Sequence, residues 1–131
     1  MNSLPQTICL VEDDEAVRDS MCALLESHGV TVDAYPRPSA LLTAGPHPCD
    51  CLILDYHMPE MDGLQLLSEI RKQGLGAPAI LMTGRGDPQL VSRALQAGVH
   101  AMLNKPVDET VLLQSIRDAI RCQAKVAQRA I

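Results

Sequence analysis

Apolar residues follow two rhythms along this chain. In short runs they are contiguous, as in Ile8-Cys9-Leu10-Val11, Cys51-Leu52-Ile53-Leu54 and Ala79-Ile80-Leu81-Met82. A contiguous run without alternating polar positions predicts a strand covered on both faces, as in a parallel sheet. Between the runs the apolar positions recur every three or four residues. Val17, Met21, Leu24, Leu25 and His28 follow this spacing after the capping residue Asp14 and before Gly29, which predicts helix 1.

The same reading carried along the chain predicts strands at 6–11, 30–35, 51–55, 77–83 and 99–103. Helices are expected at 40–44 after Pro36-Arg37-Pro38-Ser39, at 63–73 after Asp62, through Ala97 after Asp87-Pro88, and onward from Asp108, with Leu112, Leu113, Ile116 and Ile120 buried. The tail from Arg121 to Ile131 extends the last helix in this reading. A βα unit repeated five times, with crossovers long enough for right-handed parallel connections, predicts an α/β doubly wound sandwich. Neither Gly-x-Gly-x-x-Gly after the first strand nor Gly-x-x-x-x-Gly-Lys is present, so the usual phosphate-cradling loops are missing.

Composition narrows the picture. The 131 residues, 47% of them hydrophobic, fit one domain with one adequate core. A net charge of −5 with scattered Lys and Arg argues against direct nucleic-acid binding by this chain. No signal-peptide pattern and no apolar stretch of roughly 20 residues is present, so a cytoplasmic protein without a membrane partner is expected. The odd number of cysteines, 5, lacks framework spacing and fits core thiols in a reducing compartment. With no Trp or Phe, packing rests on aliphatic side chains and Met.

The chemistry gathers where strands end. Asp55 closes the third strand, Glu12 and Asp13 follow the first, Thr83 ends the fourth and Lys105 follows the fifth. In an open parallel sheet these carboxyl ends share one edge, where ligands collect. Clustered carboxylates repel unless a cation lies among them, and hard oxygen donors suit Mg²⁺. A Lys and a Thr hydroxyl opposite them suit a phosphate, so the set describes phosphoryl transfer to a carboxylate. Each residue alone has a plainer use. Asp55 fits a turn cap, Glu12-Asp13-Asp14 a helix N-terminal acid cluster, Thr83 a β-former, and Lys105-Pro106 a surface turn. Acid, acid, hydroxyl and amine at four separate strand ends argue for the joint reading.

These residues resemble the receiver domain of two-component response regulators, the CheY-like family. The resemblance spans roughly residues 6 to 121 and rests on Val11-Glu12-Asp13-Asp14-Glu15 with Arg18, Leu54-Asp55-Tyr56-His57-Met58-Pro59 with Met61-Asp62-Gly63, Met82-Thr83-Gly84, Ala97-Gly98 and Lys105-Pro106. It implies a flavodoxin-like (βα)5 sandwich with a five-stranded sheet in the order 2-1-3-4-5. The expected domain is 1–121, with 122–131 a helical extension or the start of a linker. By the same resemblance, Asp55 accepts a phosphoryl group from a histidine kinase or phosphotransfer protein. Glu12, Asp13, Asp55 and the backbone carbonyl of His57 hold Mg²⁺, and Thr83 and Lys105 engage the acyl phosphate. The face made by helix 4, strand 5 and helix 5 then signals to an output domain or effector, with a phosphorylation-dependent homodimer as one form of output. The loop Thr83-Gly84-Arg85-Gly86-Asp87 is similar to that of receivers joined to DNA-binding transcription factors of the FixJ kind.

Three positions depart from the commonest pattern. Met102 stands where many receivers place an aromatic residue, so any switch there works by repacking of a flexible thioether. His57 either tunes hydrolysis of the phosphate, reads pH or faces solvent, and Arg85 either steers water or the kinase or is a solvated loop residue. Gly84 leaves space beside the site for a phosphodonor or water. His47, Cys49, Asp50 and Cys51 lack the paired spacing of a zinc site. No helix-turn-helix or catalytic module fits after residue 121, so the reading is a stand-alone receiver or one separated from its output domain. The other function classes are a pseudo-receiver scaffold, which would lack some of the acids, Thr or Lys, and a Mg²⁺-dependent phosphatase with an Asp nucleophile, which needs a further proton-transfer acid and a cap.

Overall fold

A computed structural model describes residues 7–45, 48–84 and 87–129, with side chains as far as residue 123. Two of its strands, β3 (Cys51–Asp55) and β4 (Ala79–Thr83), are buried at every position, as the contiguous apolar runs require. They lie inside a parallel sheet of order β2-β1-β3-β4-β5, with β1 at Thr7–Val11, β2 at Thr31–Tyr35 and β5 at Ala101–Asn104. Among the described residues there are five helices: α1 (Glu15–Ser27), α2 (Pro38–Ala44), α3 (Gly63–Lys72), α4 (Pro88–Gln96) and α5 (Glu109–Arg129). This is the flavodoxin-like order.

The period of two along each strand divides the core. Ile8, Leu10, Cys51, Ile53, Ile80 and Met82 join Met21 and Leu25 of α1 and Leu112, Leu113 and Ile116 of α5 on one face. Cys9, Val11, Leu52, Leu54 and Leu81 join residues of α2, α3 and α4 on the other, among them Leu41, Leu67, Ile70 and Leu90. Both faces are covered, so neither set needs polar positions between its members. Full burial of each Leu or Ile contributes roughly 1.5–3 kcal/mol. The edge strand β2 has no fully buried residue, which explains its mixed Thr-Val-Asp-Ala-Tyr sequence.

Expected caps are in place. The Asp14, Asp62 and Asp87 carboxylates accept from Val17 N, Gln65 N and Leu90 N, and Asp108 accepts from Val111 N at 3.0 Å. Several boundaries move. Strand 5 begins at Ala101 rather than Val99, because the Val99 N–H is committed to the C-terminal turn of α4 through Ala94 O at 3.0 Å. Strand 4 begins at Ala79, after Pro78, which has no N–H for a ladder. Val30 likewise bonds back to Leu25 O instead of opening β2, and α2 starts at Pro38 rather than Ala40. His28 does not share the buried stripe of α1. It is the exposed C-cap, 3.9 Å from Glu109 Oε1.

Gly63 lets α3 approach the strand that carries Asp55. A Cβ there would lie 2.6 Å from the Asp55 carbonyl oxygen and 2.7 Å from Leu81 Cδ1. The backbone of α5 continues to Arg129, so the predicted extension is helical.

Candidate phosphoacceptor site

β1, β3, β4 and β5 all point their carboxyl ends at one edge. The register sets Val11 beside Leu54, Asp55 beside Met82, and Thr83 beside Asn104. The chain therefore leaves β1 into Glu12-Asp13, β3 at Asp55, β4 at Thr83 and β5 into Lys105 along one edge of the sheet. The carboxylate oxygens of Glu12, Asp13 and Asp55 lie within 4.8 Å of one another. Glu12 and Asp55 are buried and Asp13 is exposed, which leaves the cluster open on one side.

The Lys105 ammonium enters from the β5 side. Its Nζ stands 2.6 Å from Glu12 Oε1 and 3.1 Å from Asp55 Oδ1. Backbone pairing fixes where it starts, since Lys105 N donates to Thr83 O at 2.8 Å, and the Lys105–Pro106 peptide is cis. Glu12 is held further by Asp14 N, which donates to Oε2 at 3.1 Å, while Arg18 Nη1 donates to the Glu12 carbonyl at 2.9 Å.

Burial, reinforced by the Glu12 carboxylate, pushes the Asp55 carboxyl up to about 7, against the hydrogen bond and charge of Lys105. For Lys105 burial acts downward, but its bonds to Glu12 and Asp55 outweigh it and the ammonium is raised. Among the described residues, the cluster thus sets three carboxylates against one lysine. That donor set, three carboxylates with an open side, fits a hard divalent cation.

Other predicted positions fall around this centre. Thr83 is wholly buried at the end of β4. Gly84 is exposed, with nothing within 4 Å of where a Cβ would stand, in keeping with open space beside the site. Met102 is half-buried beside Leu81 and packs against the α3 and α4 side of the core. His57 is exposed, its ring edge-on to Tyr56 at 4.8 Å. Arg85 and His47 lie outside the described residues.

Two contacts had no local signature. Arg93 Nη1 of α4 donates to Tyr56 Oη at 3.2 Å, joining the loop after Asp55 to the helix after Thr83. Glu60, with φ 78°, holds a left-handed backbone and directs its carboxylate to Ser39 N and Ser39 Oγ, both at 3.0 Å. That carboxylate satisfies the start of α2, whose N-cap Arg37 makes no side-chain bond. Sequence separations of 37 and 21 residues hide both pairs from any periodicity.

An open parallel α/β sheet with three acids and a lysine at its carboxyl edge defines the class. The chain belongs to the response regulator receiver domain family, whose profile matches residues 8–117. It is 37% identical over 119 residues to the transcriptional regulatory protein FixJ of Azorhizobium caulinodans, covering 90% of this chain and 56% of that protein. It is 34% identical over 131 residues to the response regulator protein TmoT of Ectopseudomonas mendocina, covering 99% and 60%. The CheY-like receiver domain protein from Methanospirillum hungatei JF-1 superposes with a TM-score of 0.83 at 29% identity, over 92% of this chain and 97% of that one. The chain spans little more than half the length of the curated relatives FixJ and TmoT, 56% and 60%. It is a receiver domain of a two-component response regulator, a class whose members are generally phosphoacceptors rather than turnover enzymes. Among the described residues no helix is long and apolar enough to cross a membrane.

Proposed function

We propose that this receiver accepts a phosphoryl group on Asp55 from a histidine kinase or phosphotransfer protein, with Mg²⁺ held by Glu12, Asp13, Asp55 and the His57 carbonyl. The observation that carries the reading is the meeting of three carboxylates within 4.8 Å with the Lys105 ammonium 3.1 Å from Asp55. An Asp55 carboxylate oxygen attacks phosphorus, the bond from phosphorus to the donor's imidazole nitrogen breaks, and the electron pair leaves with the imidazole. Bound Mg²⁺ supplies charge neutralisation for the phosphoryl oxygens. In this reading Lys105 leaves Glu12 to meet a phosphoryl oxygen, and the Thr83 hydroxyl donates to another.

An apolar hollow between α1 and the β5–α5 turn, lined by Val17, Met21, Lys105, Pro106 and Val107, opens beside the ammonium and suits a phosphodonor protein. On the output side, α4 exposes Val91 and Leu95 and α5 exposes Val111, consistent with a face that meets an output domain, an effector or a second receiver. The phosphoryl group adds roughly two charges and new acceptor oxygens, which favour a conformation that brings Thr83 and the Gly84 loop inward.

The test is intact mass and Phos-tag mobility after incubation with acetyl phosphate and Mg²⁺, with Asp55→Asn and EDTA as controls. A single Mg²⁺-dependent phosphoryl adduct is expected on the wild type and none on Asp55→Asn. An unmodified wild type that also fails to respond to beryllofluoride and to a panel of kinases would overturn the reading in favour of a binding scaffold.

A further inference from the structure

The loop that leaves Asp55 for α3 is pinned at both ends by backbone bonds. Tyr56 N donates to Met82 O at 2.8 Å, and Gly63 N donates to Tyr56 O at 2.9 Å. Between these pins the half-buried Met58 and Met61 pack against the α2, α3 and α4 side of the core, while His57, Pro59 and Glu60 are exposed. Met61 N also donates to Pro59 O at 3.0 Å, closing a three-residue turn centred on Glu60.

On backbone grounds Glu60 is an unfavourable residue for that turn. Its φ of 78° makes it the only non-glycine residue with positive φ among the described residues. A γ-turn with positive φ at its centre is rare and strained, and glycine adopts such a φ at no steric cost. A non-glycine residue persists there when its surroundings over-determine it. The side chain supplies that constraint. One Glu60 carboxylate oxygen accepts from Ser39 N and the other from Ser39 Oγ, both at 3.0 Å, across 21 residues of chain. The support is itself fixed, because Pro38 and Leu41 of α2 are buried and Gln73 Nε2 reaches Leu42 O at 3.4 Å near the other end of that helix.

We infer that Glu60 is a positioning residue for the divalent cation: clasped on Ser39, it fixes the loop so that the His57 carbonyl, three residues earlier, is preset for the ion. This rests on the proposed function, which gives that carbonyl to the metal. Met58 and Pro59 carry the constraint between the two positions, since Pro59 has a fixed φ and bars Met58 from the helical region. Turning the chain at Glu60 therefore moves the carbonyl. Groups that orient a ligand without touching the ion set much of its affinity.

The test is a Mn²⁺ titration of the full chain followed by the EPR signal of the unbound ion, with Mg²⁺ as competitor, in about 0.15 M salt to screen distant charge. Glu60→Gly relaxes the backbone and removes the clasp, and is expected to weaken both ions roughly tenfold. Its urea midpoint in EDTA changes little, because relief of the left-handed backbone offsets the lost bonds. Glu60→Gln keeps a neutral clasp and stays within roughly threefold of the wild type. Arg37→Ser gives α2 a cap of its own and leaves the Glu60→Gly loss of affinity in place. With acetyl phosphate, Glu60→Gly forms the Asp55 adduct slowly at limiting Mg²⁺ and recovers as Mg²⁺ is raised. Wild-type affinity in Glu60→Gly overturns the inference. So does Glu60→Gln as weak as Glu60→Gly, which would make the effect one of charge, or recovery of affinity by Arg37→Ser, which would make Glu60 a helix cap alone. A wild type that binds neither ion overturns the proposed function, and the inference with it.

Discussion

The two ends of β3 bury titratable side chains in different ways. Cys51 opens the strand and Asp55 closes it, both nearly inaccessible. Burial pushes the Cys51 thiol up to about 12, where it stays neutral and needs no counter-charge. Burial with Glu12 alongside pushes Asp55 up only to about 7, because Lys105 opposes them. Near the entrance the neighbouring strand contributes a backbone clasp, Asp50 N to Thr7 O at 2.9 Å and Thr7 N to Asp50 Oδ2 at 3.0 Å. At the exit three further strand ends contribute two acids, a hydroxyl and an amine. Burial with no opposing cation yields an inert group, whereas burial opposed by a charged partner yields one that changes state when its surroundings change.

Removing the partner breaks this contrast most severely. Lys105→Ala leaves Glu12 and Asp55 buried together without a cation, and is expected to cost about 2–4 kcal/mol at neutral pH, less than a fully buried pair because Lys105 is partly solvated and Asp55 can take a proton. Urea unfolding in EDTA measures the loss, and added Mg²⁺ is expected to recover much of it. Equal stability of variant and wild type in EDTA would refute the electrostatic account of the exit end.

A smaller loss tests the packing behind Asp55. Gly63→Ala places a methyl 2.6 Å from the Asp55 carbonyl oxygen and 2.7 Å from Leu81 Cδ1. Displacement of α3 from β3 is expected to cost about 1–3 kcal/mol and to slow phosphorylation by acetyl phosphate. Denaturant midpoints and adduct formation followed by mass measure the two effects, and an unchanged midpoint would show that α3 does not set the strand's exit.

The gentlest test is pH. The folded protein keeps the Asp55 proton up to about 7, whereas an unfolded carboxylate releases it near 3.8. The native state therefore binds more protons between these values, and stability from this group falls as pH rises through that window. The slope is at most roughly 1.4 kcal/mol per pH unit, the value for one proton. The stability difference between wild type and Asp55→Asn, measured in EDTA from pH 4.5 to 7.5, isolates it. A difference independent of pH would mean that Asp55 is not raised.

Much of this was legible in the linear chain. The runs ending at Val11, Asp55 and Thr83 identified strands covered on both faces, since only a parallel sheet between helix layers uses every position as apolar. Asp14, Asp62, Asp87 and Asp108 marked helix starts because a carboxylate satisfies N–H groups that the helix leaves open. Those signals act within a few residues. His28 deceived the same reading, because its spacing fits the helix stripe while its position at the C-cap turns it to solvent.

Tertiary structure decided what depends on distant chain segments meeting. The bond of Lys105 to both Glu12 and Asp55, the contact of Arg93 with Tyr56 and the capping of α2 by Glu60 are all of this kind. No periodicity encodes them, because sheet order and helix packing set them only once the chain has folded. By itself the sequence determined which chemistry sits at each strand end; the fold decided which of those groups touch, and so which are charged.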